Sequence, residues 1–394
     1  MQICTNPSKI KFMKRLISAL SLILILGLLE NSPASAAVTP GSACSKINTV
    51  SIISGLKYTC IKSAKKLVWS NGVKVAQSAK NTPTEPKEIT GFQDAIERPQ
   101  DVSYWAWKKS RVQILSNSGK APTAELVIGP NTKLSNPNPL VSFDAVTRLY
   151  PDFRKPNKIY AIYYSHKDID WAQEKYKSIF PEAGGQEAKN SCQTIEFCWG
   201  ASGTINKSGD GVLLAAVMTS NPDRNHTSGT LEAHEYTHIL QIGSFYGTSN
   251  QLQAMCCIKA FVPWWFAEGG AEFSQLASIY SSSFAKYSED RKFVAKELLE
   301  NRDKKYTEKW IANFIKPPNN SIWSDSDTQW HLYDLGMLVS EIFTAIKGPS
   351  INIQIFKDIA SGQTYEESFE KQFGLTWEQA VPLLAKSISK LTGN

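Results

Sequence analysis

The segment TLEAHEYTHILQIG, residues 230–243, decides how this chain is read. It predicts a helix over Thr230–Ile242, with Gly243 as its C-terminal stop. His234 and His238 are four apart, so a helix presents both imidazoles on one face, about one turn apart. Each can offer a nitrogen to the same cation. Glu235 is angled toward that face; in known uses of this pattern it binds no metal but takes a proton from metal-activated water. Taken alone, the pattern also fits an ordinary helix with two surface histidines.

The segment WWFAEGGAE, residues 264–272, changes that balance. Pro263 predicts the start of a helix, in the first-turn position proline tolerates. Glu268 and Glu272 share a face of it. Two carboxylates beside an aromatic cluster are costly to bury unless a cation compensates. Glu268 would then complete a His234–His238–Glu268 ligand set with a fourth position left for water. Glu272, one turn on, is placed to accept a proton from the second nitrogen of a ligand histidine. Gly269 and Gly270 allow close helix approach.

The pattern HEYTH followed about thirty residues later by WFAEGGAE resembles the gluzincin zinc peptidases of the thermolysin-like superfamily (MA clan), in their secreted bacterial form. The resemblance implies one zinc ion per chain held by His234, His238 and Glu268, with Glu235 as general base and a peptide or protein as substrate. The metzincin pattern is not met, because Gln241 and Ser244 stand where it needs glycine and histidine. Family members stabilise the oxyanion with a Tyr or His from a later helix, for which His331 and Tyr333 are available. In the family the strand matching Val212–Met218 edges the cleft and could pair with an extended peptide. His166 and His226 read as surface or core histidines. Rival readings are a catalytically silent member kept for wall binding, a zinc amidase acting on peptidoglycan peptides, and a structural zinc protein. The last is disfavoured because only three good ligands are present.

The 394 residues suggest two or three units. Residues 1–37 carry a signal-peptide pattern: Lys9, Lys11, Lys14 and Arg15, an uncharged apolar run from Leu16 to Leu29, then Ala34-Ser35-Ala36. Met13, directly before Lys14 and Arg15, is an alternative start codon, which N-terminal sequencing of the precursor would decide. No other stretch is long and apolar enough to span a bilayer, so a secreted or cell-envelope location without a mature transmembrane segment is expected. Residues 1–36 hold four of the 43 basic and one of the 36 acidic residues, leaving a net charge of +4. No basic patch interleaved with aromatics appears, which argues against nucleic acid; the mild excess is compatible with association with an anionic cell wall. Beyond Cys4, six cysteines remain, and an even count in an exported chain reads as disulfides. Cys44 with Cys60 is the natural local pair; Cys192, Cys198, Cys256 and Cys257 allow three pairings.

The expected fold class is α+β. A small two-cysteine β-rich module fills 38–75, with strands at Val50–Ile53, Tyr58–Ile61 and Leu67–Trp69. A Pro/Thr/Lys/Glu-rich linker covers 76–90. A mixed α/β region follows over 91–225: helices at Phe92–Arg98 and Val102–Lys108, a strand at Val112–Leu115, a strand at Lys158–Tyr164, a helix at Asp168–Ile179, and the strand Val212–Met218. Residues 226–394 form a mainly helical part carrying the zinc site. Its later helices are expected at Ser288–Asn301, Gln329–Ile346, Asn352–Ala360 and Tyr365–Phe373, and the last is opened by a Thr376/Gln379 capping box.

Overall fold

The computed structural model describes residues 38–53, 56–74, 85–183, 185–218, 222–316 and 329–393. They belong to two compact units that divide between residues 86 and 87. The signal-peptide reading and most of the linker lie outside the described residues. Among the described residues no helix is long and apolar enough to cross a membrane.

The first unit is an antiparallel sheet of β1 (Val50–Ile53), β2 (Leu56–Ser63), β3 (Lys66–Trp69) and β4 (Val73–Lys74). β2 is central, pairing with the other three. Tyr58 and Cys60 are buried on one face, with Trp69 directly across from Cys60, and the expected Cys44–Cys60 disulfide ties the N-terminal arm to that face. So small a core needs such a staple.

The second unit is α+β with a helical C-terminal part, as expected. It opens with α1 (Phe92–Glu97), α2 (Pro99–Ser116), β5 (Ala124–Ile128), α3 (Pro139–Leu149), β6 (Ile159–Tyr164), α4 (Ile169–Ile179), α5 (Glu187–Ser191), β7 (Ala201–Ile205) and β8 (Gly211–Ala216). Then come α6 (Arg224–Ser228), α7 (Thr230–Gly243), α8 (Gln251–Cys257), α9 (Trp264–Ile279), α10 (Phe284–Val294), α11 (Lys296–Glu300) and α12 (Glu308–Ile315). The chain finishes with α13 (His331–Lys347), α14 (Ile351–Ala360), α15 (Tyr365–Phe373) and α16 (Trp377–Leu391). The expected regions 91–225 and 226–394 both lie within this one unit.

Its sheet runs β5-β6-β8-β7; the first three strands are parallel, and β7 joins the edge antiparallel to β8. This corrects the reading of Val212–Met218 as the strand at the cleft edge. All six residues of β8 are buried, as an uninterrupted apolar run covered on both faces must be. The edge belongs to β7, whose ASGTI sequence carries little strand signal. The expected strand at Val112–Leu115 is also overturned. Val102, Ala106, Ser110 and Ile114 form one buried stripe at four-residue spacing along α2, packed on α13, while Val112 and Leu115 face solvent. Helical burial overrides the β-propensity of that run. Nor do residues 87–90 behave as a linker: Ile89 is fully buried, Glu88 pairs with Lys109 at 2.9 Å, and the Trp105 indole donates to the Lys87 carbonyl.

The Ser288–Asn301 helix is instead two, broken at Ala295, and it starts earlier because the Ser283 hydroxyl caps Lys286 N–H. Pro263 sits just before α9, one position earlier than expected. The Thr376/Gln379 capping box is present. Cys192 pairs with Cys198, closing the loop that leads into β7, while Cys256 and Cys257 end α8 with their sulfurs 3.1 Å apart.

α9 is the central helix. Trp265 stacks on Trp377 at 5.7 Å and Phe266 on Phe356 at 5.4 Å, both fully buried; each contributes about 2–3 kcal/mol by burial. On another side, α9 crosses α13 at Gly269 and Gly336, where a Cβ on either would overlap the other helix's backbone. Replacing Gly336 by Ala should force the helices apart and cost ~1–3 kcal/mol, read as a lower denaturation midpoint at unchanged slope. Gly270→Ala, whose added carbon would meet only the Gln241 amide at 3.4 Å, should be close to neutral.

Candidate metal centre

α7 is held from behind. Tyr236 packs on Phe143 and its hydroxyl bonds Thr147 of α3, so the opposite side, with His234, Glu235 and His238, faces α9 and β7. α9 turns Glu268 and Glu272 toward it. His234 Nε2, His238 Nε2 and Glu268 Oε2 form a triangle with edges of 3.1, 3.3 and 3.4 Å. A tetrahedral ion with bonds of roughly 2.0–2.1 Å sets its ligand atoms about 3.3 Å apart. Three donor atoms at that spacing, two imidazole nitrogens and a carboxylate oxygen, fit a borderline divalent cation. Among the described residues this is the one cluster of three or more His, Cys, Asp or Glu able to hold a metal.

The outer partners direct the lone pairs inward. His234 Nδ1 lies 3.4 Å from Glu272 Oε2, as the spacing implied. The Gln275 amide fixes the other oxygen of Glu272. His238 Nδ1 meets Gln241 Oε1 at 2.8 Å, and Gln241 Nε2 donates to the Ala267 carbonyl at 2.9 Å. That carbonyl accepts only, so the amide presents its oxygen to His238, which donates from Nδ1 and leaves the Nε2 lone pair facing the triangle. Trp264 Nε1 donates to Glu268 Oε1 at 2.8 Å, which leaves Oε2 in the triangle.

Charge is tightly coupled here. Burial opposes the charged form of His234 and His238, yet Glu268, Glu272 and Glu235 outweigh it at His234, and Glu268 and Glu235 at His238, so both imidazoles are raised above their ordinary value. Burial pushes Glu268 up, but the two imidazoles hold it well below the usual carboxylate range. For Glu235 burial wins: its carboxyl is raised, with partial relief from both imidazoles and from the Gly203 backbone N–H. Gly203 of β7 lies so close to α7 that a Cβ there would overlap the Glu235 carbonyl.

Of the two oxyanion candidates, only Tyr333 reaches the cluster. Its ring centre is 6.0 Å from that of His234, and burial plus the Glu268, Glu235 and Glu272 carboxylates keep its hydroxyl protonated. His331, two residues away, is packed among Tyr306, Trp310 and Phe314, with Nδ1 on Asp334 at 3.0 Å. His226 joins Asp223 to the Ala216 carbonyl and is structural; His166 is exposed.

Gln241, Trp264, Gly203 and Gly336 were not assigned these roles from sequence. Gln241 and Trp264 stand at helical spacing from His238 and Glu268, so the signal was available. Gly203 and Gly336 act through tertiary approach, which leaves no local trace. No protein-family model, curated protein or solved structure matches the chain.

In metal-free protein both imidazoles should titrate above the ordinary value of about 6.5, followed by NMR of the ring protons. A folded pKa above the unfolded one means their stabilisation is full below about pH 6.5 and is lost as pH rises through the folded value. Titration at or below the ordinary value would contradict the coupling to Glu268.

Proposed function

We propose that this chain is an exported zinc-dependent metallopeptidase of gluzincin type. The observation that carries the reading is the triangle of His234, His238 and Glu268, with Glu235 and Tyr333 beside it. The imidazole and carboxylate donors suit zinc, and three protein ligands leave a position for water, as catalytic rather than structural sites do. When bound, zinc acidifies water and polarises a carbonyl oxygen.

Glu235 accepts the proton of the attacking water and returns it to the departing amine. Its raised pKa brings it nearer the operating pH for both transfers. Tyr333, protonated, donates to the oxygen that gains charge as the carbonyl carbon becomes tetrahedral. The outer edge of β7, lying against α7 at Gly203, offers backbone groups to an extended peptide. The two disulfides support export, since such bonds persist in oxidising compartments.

Glu235→Gln should abolish cleavage of a proteome-derived peptide library while metal content stays at about one zinc per chain. Survival of cleavage in that variant would sink the mechanism. Glu268→Ala should lose the metal itself. Loading should weaken on acidification, because protons compete for both imidazoles. Tyr333→Phe should retain zinc and lower kcat ~10²–10³-fold with little change in KM; an unchanged kcat would remove Tyr333 from the chemistry.

A further inference from the structure

The first unit carries a surface independent of the metal cluster. Residues 38–74 contain Lys46, Lys57, Lys62, Lys65, Lys66 and Lys74 and no Asp or Glu. All six lysines are exposed. Residues 76–394 hold 33 basic and 35 acidic residues, so the positive excess beyond the export signal is confined to this small sheet. Such asymmetry between units points to an anionic surface as partner.

The strand register supplies the second half of the argument. Ile52, Lys57 and Val73 stand in one row across β1, β2 and β4. Val50 pairs with Thr59 and Ile61 with Val68 on the same face, because residues directly opposite share a face and alternate residues return to it. This face is open: Val73 is 66%, Ile52 62%, Val50 47% and Ile61 42% exposed. The other face holds Tyr58, Cys60 and the disulfide, and is the unit's core.

The open face is therefore aliphatic, centred on one lysine and set in a sheet whose residues 38–74 carry lysines and no carboxylate. It has no aromatic ring on which a base or sugar could stack, since Tyr58 lies on the buried face. It has no carboxylate to read sugar hydroxyls. An anionic bilayer matches both halves of its chemistry. Aliphatic side chains enter the headgroup boundary, and lysines, their alkyl stems lying along apolar surface, reach lipid phosphates. We propose that this unit docks the chain on an anionic lipid surface through Val50, Ile52, Lys57, Ile61 and Val73.

The test uses the mature chain in co-sedimentation with vesicles of phosphatidylcholine, alone or mixed with about one third phosphatidylglycerol. Binding should be at least ~10-fold tighter to the anionic vesicles, and each of Lys57→Gln and Lys66→Gln, the latter opposite Ser63 on the same face, should weaken it ~5-fold. The pair Ile52→Ser and Val73→Ser, which leaves charge unchanged, should weaken it ~10-fold. Mass mapping of the Cys44–Cys60 disulfide confirms that the variants fold. Three results would overturn the proposal. One is equal or absent binding to the two vesicle types. Another is anionic binding that ignores the serine pair and is competed by soluble polyphosphate, which would assign the face to a wall polymer. The third is a concentration-dependent dimer abolished by the serine pair, which would assign it to a second copy of the chain.

Discussion

The contact on which the rest of the second unit depends is the crossing of two glycines, Gly269 and Gly336. A helix pair normally keeps its axes 8–10 Å apart because side chains intervene. Here neither residue has one, and backbone meets backbone. The close crossing sets how deeply α13 lies against α9, and so places Tyr333 beside His234. One turn from Gly269, Trp265 and Phe266 lock α9 into the C-terminal helices. With two sides of α9 fixed in this way, Glu268 and Glu272 must face α7. Two carboxylates in a water-poor groove require cationic company, and His234 and His238 supply it.

The parts legible in the sequence were those whose signal is local. The helix spacing of His234 and His238 and the i, i+4 relation of Glu268 and Glu272 placed the cluster and its support from four residues. The Thr376/Gln379 capping box and the buried strands β6 and β8 were readable for the same reason. What escaped was set by tertiary approach. β7 is written in five residues with weak strand preference and exists because β8 needs a second neighbour. The run Val112–Leu115 has β-branched and leucine residues that suggest a strand, yet α2 continues through it because only Ile114 falls on the stripe facing α13. The choice between His331 and Tyr333 turned on two positions of helical rotation, which no motif specifies.

The two units use charge differently. In the second, acidic and basic residues nearly balance, and the charges that matter are buried and paired, as with Arg291 and Glu341 or the Glu268 cluster. In the sheet of the first unit, residues 38–74, exposed lysines stand with no carboxylate among them. Solvated charges act at the range of a Debye length, about 10 Å at moderate salt, whereas buried pairs act at contact. The first arrangement suits capture of a surface and the second suits precise placement of groups.

The supports of the two histidines tie α7 to α9. Glu272 of α9 steadies His234 of α7, and Gln241 of α7 reaches back to the Ala267 carbonyl of α9. The pair of helices is thereby closed into a ring of polar contacts made by atoms other than the three that form the triangle. Entropy lost in ordering these side chains then falls to folding itself. On the proposed reading, the helix pair would fold as a unit first and a cation would be loaded afterwards.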